Sequence, residues 1–200
     1  MGEPIIHPKY PPAGIFFNSE TRYPVSMDTL PIPLPRSLTV FCAPAANGEP
    51  VSLVIAGLAQ RGPVSILDGG NCFPAYRLLR LLRLQNKIAT AGNIFVQRAF
   101  TCYQMLALLE GTPGMPQPHV VLDPFASFYD EQVLLPEISR LLEGCLYQLE
   151  RLRQAAPLLV VLRPAHTPER AFLVERVCAA AGSCFISESL APASSQPTLF

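Results

Sequence analysis

Two aspartates close short apolar runs: Asp68 ends Gly62 to Asp68 (GPVSILD), and Asp123 ends His119 to Asp123 (HVVLD). Carboxylates at neighbouring strand ends could bind a cation together or exchange protons with a substrate. The competing reading is that each caps the turn after it, as short acidic side chains do when they accept from nearby backbone N–H groups. Other chemistry is thinly represented. His7, His119 and His166 have no cysteine or carboxylate at ligand-like spacing, so no metal site is assigned. The six cysteines (42, 72, 102, 145, 178 and 184) contain no CxxC pair and read as reduced, partly buried thiols. No GxSxG elbow is present.

A third chemical position is Ala43-Pro44-Ala45-Ala46-Asn47-Gly48-Glu49-Pro50, between an apolar run and a helix-like segment. A loop placed there cradles phosphate when it reads GxxxxGK followed by Ser or Thr. Its amides and the helix start meet the phosphates, lysine reaches the outer ones, and the hydroxyl holds magnesium. Gly48 fits that pattern. Ala43 replaces the first glycine, Glu49 stands in the lysine position, and Pro50 has neither hydroxyl nor amide donor. Magnesium-nucleotide chemistry is therefore not expected, and no cofactor or metal is assigned.

These positions must be held by a sheet. Leu38–Ala43, Val64–Asp68, Asn93–Arg98, His119–Asp123 and Leu158–Arg163 are strand-like runs separated by helical patterns, and Cys184–Ser187 is a possible last strand. Continuous apolar strands alternating with helices predict an α/β domain with a mostly parallel central sheet flanked by helices. Sites in such sheets lie beyond the carboxyl ends of the strands. Val51, Val54, Ile55 and Leu58 give the first helix an apolar face. Leu78, Leu79, Leu81, Leu82 and Leu84 predict a deeply packed second helix after Pro74. Thr101 is placed to cap a third, reaching Glu110. Ile138, Leu141, Leu142, Cys145, Leu146, Leu149 and Leu152 line the longest helix, about Pro136 to Ala155. Thr167-Pro168-Glu169 reads as cap, first-turn proline and first-turn carboxylate of a helix to about Ala181.

Before the core, residues 1–36 carry eight prolines and read as an extended arm with one short helical turn. Its apolar residues, Ile15, Phe16, Phe17 and Tyr23 among them, need cover and are candidate partner-binding residues. The core is expected over 37–190, with a loose tail over 191–200. Half of the residues are hydrophobic, and 15 basic residues balance 15 acidic ones. Zero net charge argues against broad phosphate binding as the main source of affinity. A local basic strip remains in Arg77, Arg80, Arg83 and Lys87, candidates for nucleic-acid contact or a plain solvated face. Phe100, Tyr103, Phe125, Phe128 and Tyr129 could stack on bases, although their spacing suits core packing better. No run approaches a membrane span and no signal peptide is visible. The expectation is an intracellular protein, cytoplasmic, nucleoid-associated or nuclear.

From Leu38 to about Arg163 the chain resembles the ATPase core of the RecA/RAD51 recombinase family, as a divergent paralogue with a degenerate nucleotide site. Ser65–Arg77 (SILDGGNCFPAYR) resembles the family's "YIDTEgtFrpeR" strand and turn. Asn93–Gln104 (NIFVQRAFTCYQ) resembles "NI…aRAy…Q", and His119–Tyr129 (HVVLDPFASFY) resembles the magnesium-side strand "lviVDSataLfR". The resemblance implies a RecA-like P-loop NTPase fold. It places Gly70 where the family keeps the acid that orients the attacking water, and Asp123 at the magnesium-side aspartate. Arg98 matches an arginine with a structural or subunit-contact role. Arg163-Pro164 replace the nucleotide-sensing "NQ", and the DNA-binding loop that should follow shrinks to about Arg163 to His166. Phosphoryl transfer needs lysine, metal and a positioned water together. The resemblance with these losses implies an inactive ATPase.

The expectation is thus a non-catalytic RecA-like accessory subunit acting through protein–protein contacts, in DNA recombination or repair. Its partner would be a recombinase or accessory factor, in a homo- or hetero-oligomer, with single-stranded DNA reached directly or through that partner. One alternative is direct single-stranded DNA binding through the arginine strip. Another is a nucleoside-cofactor enzyme of a different class, suggested by Asp68-Gly69-Gly70 after a strand.

Overall fold

The computed structural model describes residues 17–18, 37–165 and 167–186. The elements run β1 (Phe17–Asn18), β2 (Leu38–Cys42), α1 (Glu49–Ala59), β3 (Val64–Asp68) and α2 (Ala75–Leu84). They continue through β4 (Ile94–Arg98), α3 (Cys102–Gly111), β5 (His119–Leu122), α4 (Leu135–Ala155), β6 (Leu158–Leu162), α5 (Phe172–Ala180) and β7 (Ser183–Ile186). Most of the arm, including Ile15, Phe16 and Tyr23, lies outside the described residues, as do His7, His166 and the tail.

The strands form one sheet in the order β1-β7-β2-β6-β5-β3-β4, parallel from β7 to β4, with β1 antiparallel on β7. The fold is α/β, as the alternating pattern requires. β2, β3, β5 and β6 are buried along their whole length. That is why they read as unbroken apolar runs: helices lie on both faces and no position meets water. One face packs Val40, Leu67, Val121 and Val160 against α3, α4 and α5. The other packs Phe41, Ile66, Val120 and Val161 against α1 and α2.

Local signals set most helix limits. Thr101 caps α3 by accepting from the Gln104 N–H at 3.1 Å, a bond type that contributes about 1 kcal/mol. Pro50 sits in the first turn of α1, where its missing donor costs nothing. The capping expected of Thr167 does not occur. Pro168–Arg170 form a 3₁₀ turn, α5 begins at Phe172, and the buried Thr167 hydroxyl has no hydrogen-bond partner among the described residues.

Two expectations fail at the rim. In α2 only Leu78 and Leu82 are fully buried, while Leu79 and Leu84 are exposed. This helix is peripheral, packing mainly against α1 and the 3₁₀ turn that precedes β4. β4 is the edge strand: among the described residues it pairs with β3 alone, and Phe95 and Val96, on opposite faces by strand alternation, are 56% and 37% exposed. Neither flanking helix reaches across it.

His119 opens β5 and is buried, yet neither ring nitrogen has a hydrogen-bond partner of proper geometry among the described residues. Burial lowers its pKa; the Met115 backbone opposes this and the charge of Arg151 adds to it. The unfolded chain therefore takes up a proton near the ordinary histidine value while the folded chain still refuses it. Stability is full above about pH 6.5 and falls as pH drops below it, by at most about 1.4 kcal/mol per pH unit for one group. Replacing His119→Leu should flatten this part of the stability–pH curve between pH 7 and 5 in denaturant titrations. An unchanged slope would show that His119 does not carry it.

Candidate functional site at the carboxyl ends of the strands

The sheet brings Asp68 and Asp123 side by side, because β3 and β5 are neighbours and Asp68 is in register with Leu122. Asp68 is fully buried. Its oxygens accept from the Cys72 N–H at 2.9 Å and the Phe73 N–H at 3.0 Å, and the Cys72 thiol lies 3.6 Å away. Arg98, at the end of β4, stands 3.4 Å from the same carboxylate. Asp68 therefore holds the turn after β3, as the capping reading proposed, and its charge is met from within the chain.

Asp123 lies just beyond β5, where the strand reading had placed it within the run. Its φ is +45°, a left-handed backbone uncommon outside glycine and taken most often by Asn, Asp and His among the other residues. It also precedes Pro124, which further narrows its choices. Its N–H donates to Val161 O at 2.8 Å, its carbonyl accepts from the Ala126 N–H at 3.2 Å, and its carboxylate is bound by Arg163 Nε. Arg163 follows β6, the strand between β5 and β2. It delivers a guanidinium to the face of Asp123 on which a cation-binding site would depend.

Gly69 and Gly70 sit directly against this turn. A Cβ on Gly70 would lie 2.7 Å from Asp123 Cβ and 2.8 Å from its Oδ2. One on Gly69 would meet Pro124 Cα at 2.8 Å and Asp123 O at 2.9 Å. Gly70 thus has no room for the water-orienting acid that the resemblance would require there. Cys72 stands over the same corner. Burial, then the Asp68 and Asp123 charges, raise its thiol pKa to about 12, with Arg163 opposing, so it stays protonated at neutral pH.

The loop over 43–48 departs from β2 beside Arg163. Ala43 is buried and donates to Leu162 O at 2.9 Å, and Ala46 is buried beneath the loop. Gly48 is the N-cap of α1 in extended conformation (φ −64°, ψ 170°), with its carbonyl accepting from the Ser52 N–H and hydroxyl. Glu49 is exposed in the first helical turn beside Pro50. No lysine is near in sequence, and the acidic side chain opposes an incoming anion.

The other candidates are scattered. Arg77, Arg80 and Arg83 are exposed on α2, and Lys87 is exposed beyond its end, past the left-handed Asn86. Phe125 and Phe128 are buried and meet edge to face at 5.0 Å, so they serve the core. Phe100 and Tyr103 are instead 64% and 52% exposed near the β4 rim. A cleft of about 200 Å³ lined by Leu58, Arg61, Pro63, Pro116, Pro118 and Pro157 opens at the opposite, amino ends of the strands.

Two arginines carry structure that motif reading did not find. Arg170 is buried and donates to the carbonyls of Phe128 and Val133, fixing the segment after Asp123. Arg151 donates to the Leu109 and Thr112 carbonyls at 2.9 and 2.8 Å and closes the end of α3. Among the described residues no group of three or more His, Cys, Asp or Glu is arranged to hold a metal ion, and no helix is long and apolar enough to cross a membrane. No family model matches the chain, and no curated protein matches it.

The packing of the glycine pair can be tested by stability. Gly70→Ala should lower unfolding free energy by about 1–3 kcal/mol through overpacking. Gly92→Ala, with nothing within 4 Å of its added Cβ, should be near neutral in the same denaturant titration. Equal effects at both positions would mean that the Asp123 turn yields easily.

Proposed function

We propose that the chain is a non-catalytic subunit of RecA-like architecture that acts through protein–protein contact, in DNA recombination or repair. The observation that carries this reading is the Arg163 guanidinium bound to Asp123. The carboxylate that matches a magnesium-side aspartate is neutralised by the chain itself. Support also comes from the sealed space at Gly70, from Glu49 and Pro50 at the helix start, and from Asp68 being consumed by its turn and Arg98. Transition-state stabilisation for phosphoryl transfer has no lysine, metal-holding hydroxyl or water-orienting acid to draw on here. The partner contact falls to β4, whose outer N–H and C=O groups and exposed Phe95 and Val96 invite an added strand.

Titration with magnesium–ATP should give neither saturable micromolar binding nor turnover; either result would remove the inactive-site reading. Affinity capture of the tagged full chain from its native cell should retain a stoichiometric protein partner. A Phe95→Asp, Val96→Lys variant that remains folded by circular dichroism should lose that partner. Retention by the variant would move the contact away from β4.

Exposure of Arg77, Arg80, Arg83 and Lys87 sustains a second reading, direct single-stranded DNA contact along α2. Binding of that kind weakens with salt, with a log–log slope of about −0.7 for each phosphate neutralised. Replacing Arg77, Arg80 and Arg83 with Gln should then abolish oligonucleotide binding in fluorescence anisotropy. Binding unchanged by the triple variant would exclude this strip.

A further inference from the structure

The described cysteines divide into two sorts. Cys42, Cys102 and Cys145 are buried, and Cys72 is engaged with Asp68. Burial is the main cause that raises the thiols of Cys42 and Cys145 to about 12, which keeps them protonated and inert. Cys178 and Cys184 differ in both placement and company. Each is half-buried, and their sulfur atoms stand 2.8 Å apart, with the Cys184 thiol donating to Cys178 Sγ. Cys178 lies in the last turn of α5. Cys184 lies in β7 on the face that α5 covers, since it is in register with Val40 of the adjoining core.

We propose that Cys178 and Cys184 are a redox-active pair that closes to an intrachain disulfide when the chain meets a low-molecular-weight disulfide such as oxidised glutathione. A disulfide places its sulfurs about 2.05 Å apart, so closure asks for a small side-chain movement and no rearrangement of α5 or β7. The contact with Cys184, then burial, pushes the Cys178 thiol well up. The thiolate of one of the two cysteines displaces one thiolate from the small disulfide and forms a mixed disulfide. The sulfur of the other cysteine then attacks the protein sulfur of that mixed disulfide, gives up its proton, and expels the second thiol. Two protein thiols are oxidised and one small disulfide is reduced to two thiols, which balances atoms and electrons.

The bond would tie α5 to β7 where β7 carries β1, since Phe17 is in register with Cys184. Oxidation thus fixes the strand on which Phe17–Asn18 pair, at the sheet edge opposite β4. This pair is independent of the reading given for the Asp123 corner.

The test is to equilibrate the native full chain in glutathione buffers from fully reduced to fully oxidised, alkylate it, and map it by mass spectrometry. Both cysteines fall in the tryptic peptide that begins at Val177, after Arg176. In oxidised buffer that peptide should be unalkylated and about 2 Da lighter than its reduced form, with the other four cysteines unlinked. Cys178→Ser and Cys184→Ser variants should each lose the 2 Da shift while keeping their circular dichroism spectra. Full alkylation of both cysteines in oxidised buffer would overturn the proposal. So would a stable glutathione adduct without closure, or a disulfide mapped elsewhere.

Discussion

Asp123 turns the chain through a left-handed backbone immediately before a proline, and the carboxyl end of the sheet is shaped around that turn. Backbone in a sparsely populated region persists only where its surroundings over-determine it. Here Val161 receives its N–H, Ala126 satisfies its carbonyl, Arg163 binds its carboxylate, and Gly69-Gly70 press against it. The same corner engages both strand-end carboxylates from within the chain, Asp68 with its own turn and Arg98, Asp123 with Arg163. The charges of the corner are spent on each other.

A buried carboxylate needs a partner, and each of the two here draws one from the end of a different strand. Asp68 takes Arg98 from β4 and Asp123 takes Arg163 from β6. Strand order decides these matches, since β4 flanks β3 and β6 flanks β5. Arg170 and Arg151 extend the same habit to bare carbonyls at loop ends. Nearly all of the cationic side chains are arginines, and the planar fork with several donors suits these internal tasks better than an ammonium would.

Much of the scaffold could be read from residue order. Runs such as LTVFC and LLVVL are apolar at every position because both faces of the sheet are covered, and α4 shows its buried stripe from Ile138 to Leu152. The two failures at the rim share one cause, which is position within the sheet. IFVQR looks like any other strand until it is known to lie at the rim, and the leucines of α2 promise depth that an edge helix cannot supply. At the carboxyl ends of the strands the capping reading holds for Asp68, and Asp68 and Asp123 were both legible as strand-end carboxylates. The Asp123–Arg163 and Asp68–Arg98 contacts were not, because they join residues 40 and 30 positions apart through a strand order that no local pattern encodes.

The uncovered β4 has a practical side. A rim of unpaired peptide groups flanked by Phe95, Val96 and Phe100 is an adhesive strip, and a chain with balanced charge has little electrostatic repulsion to hold copies apart. Produced alone and concentrated near neutral pH, such a chain will clump before it crystallises. A charged side chain placed at Phe95 or Val96 is the physical remedy, since edge strands are kept apart in that way.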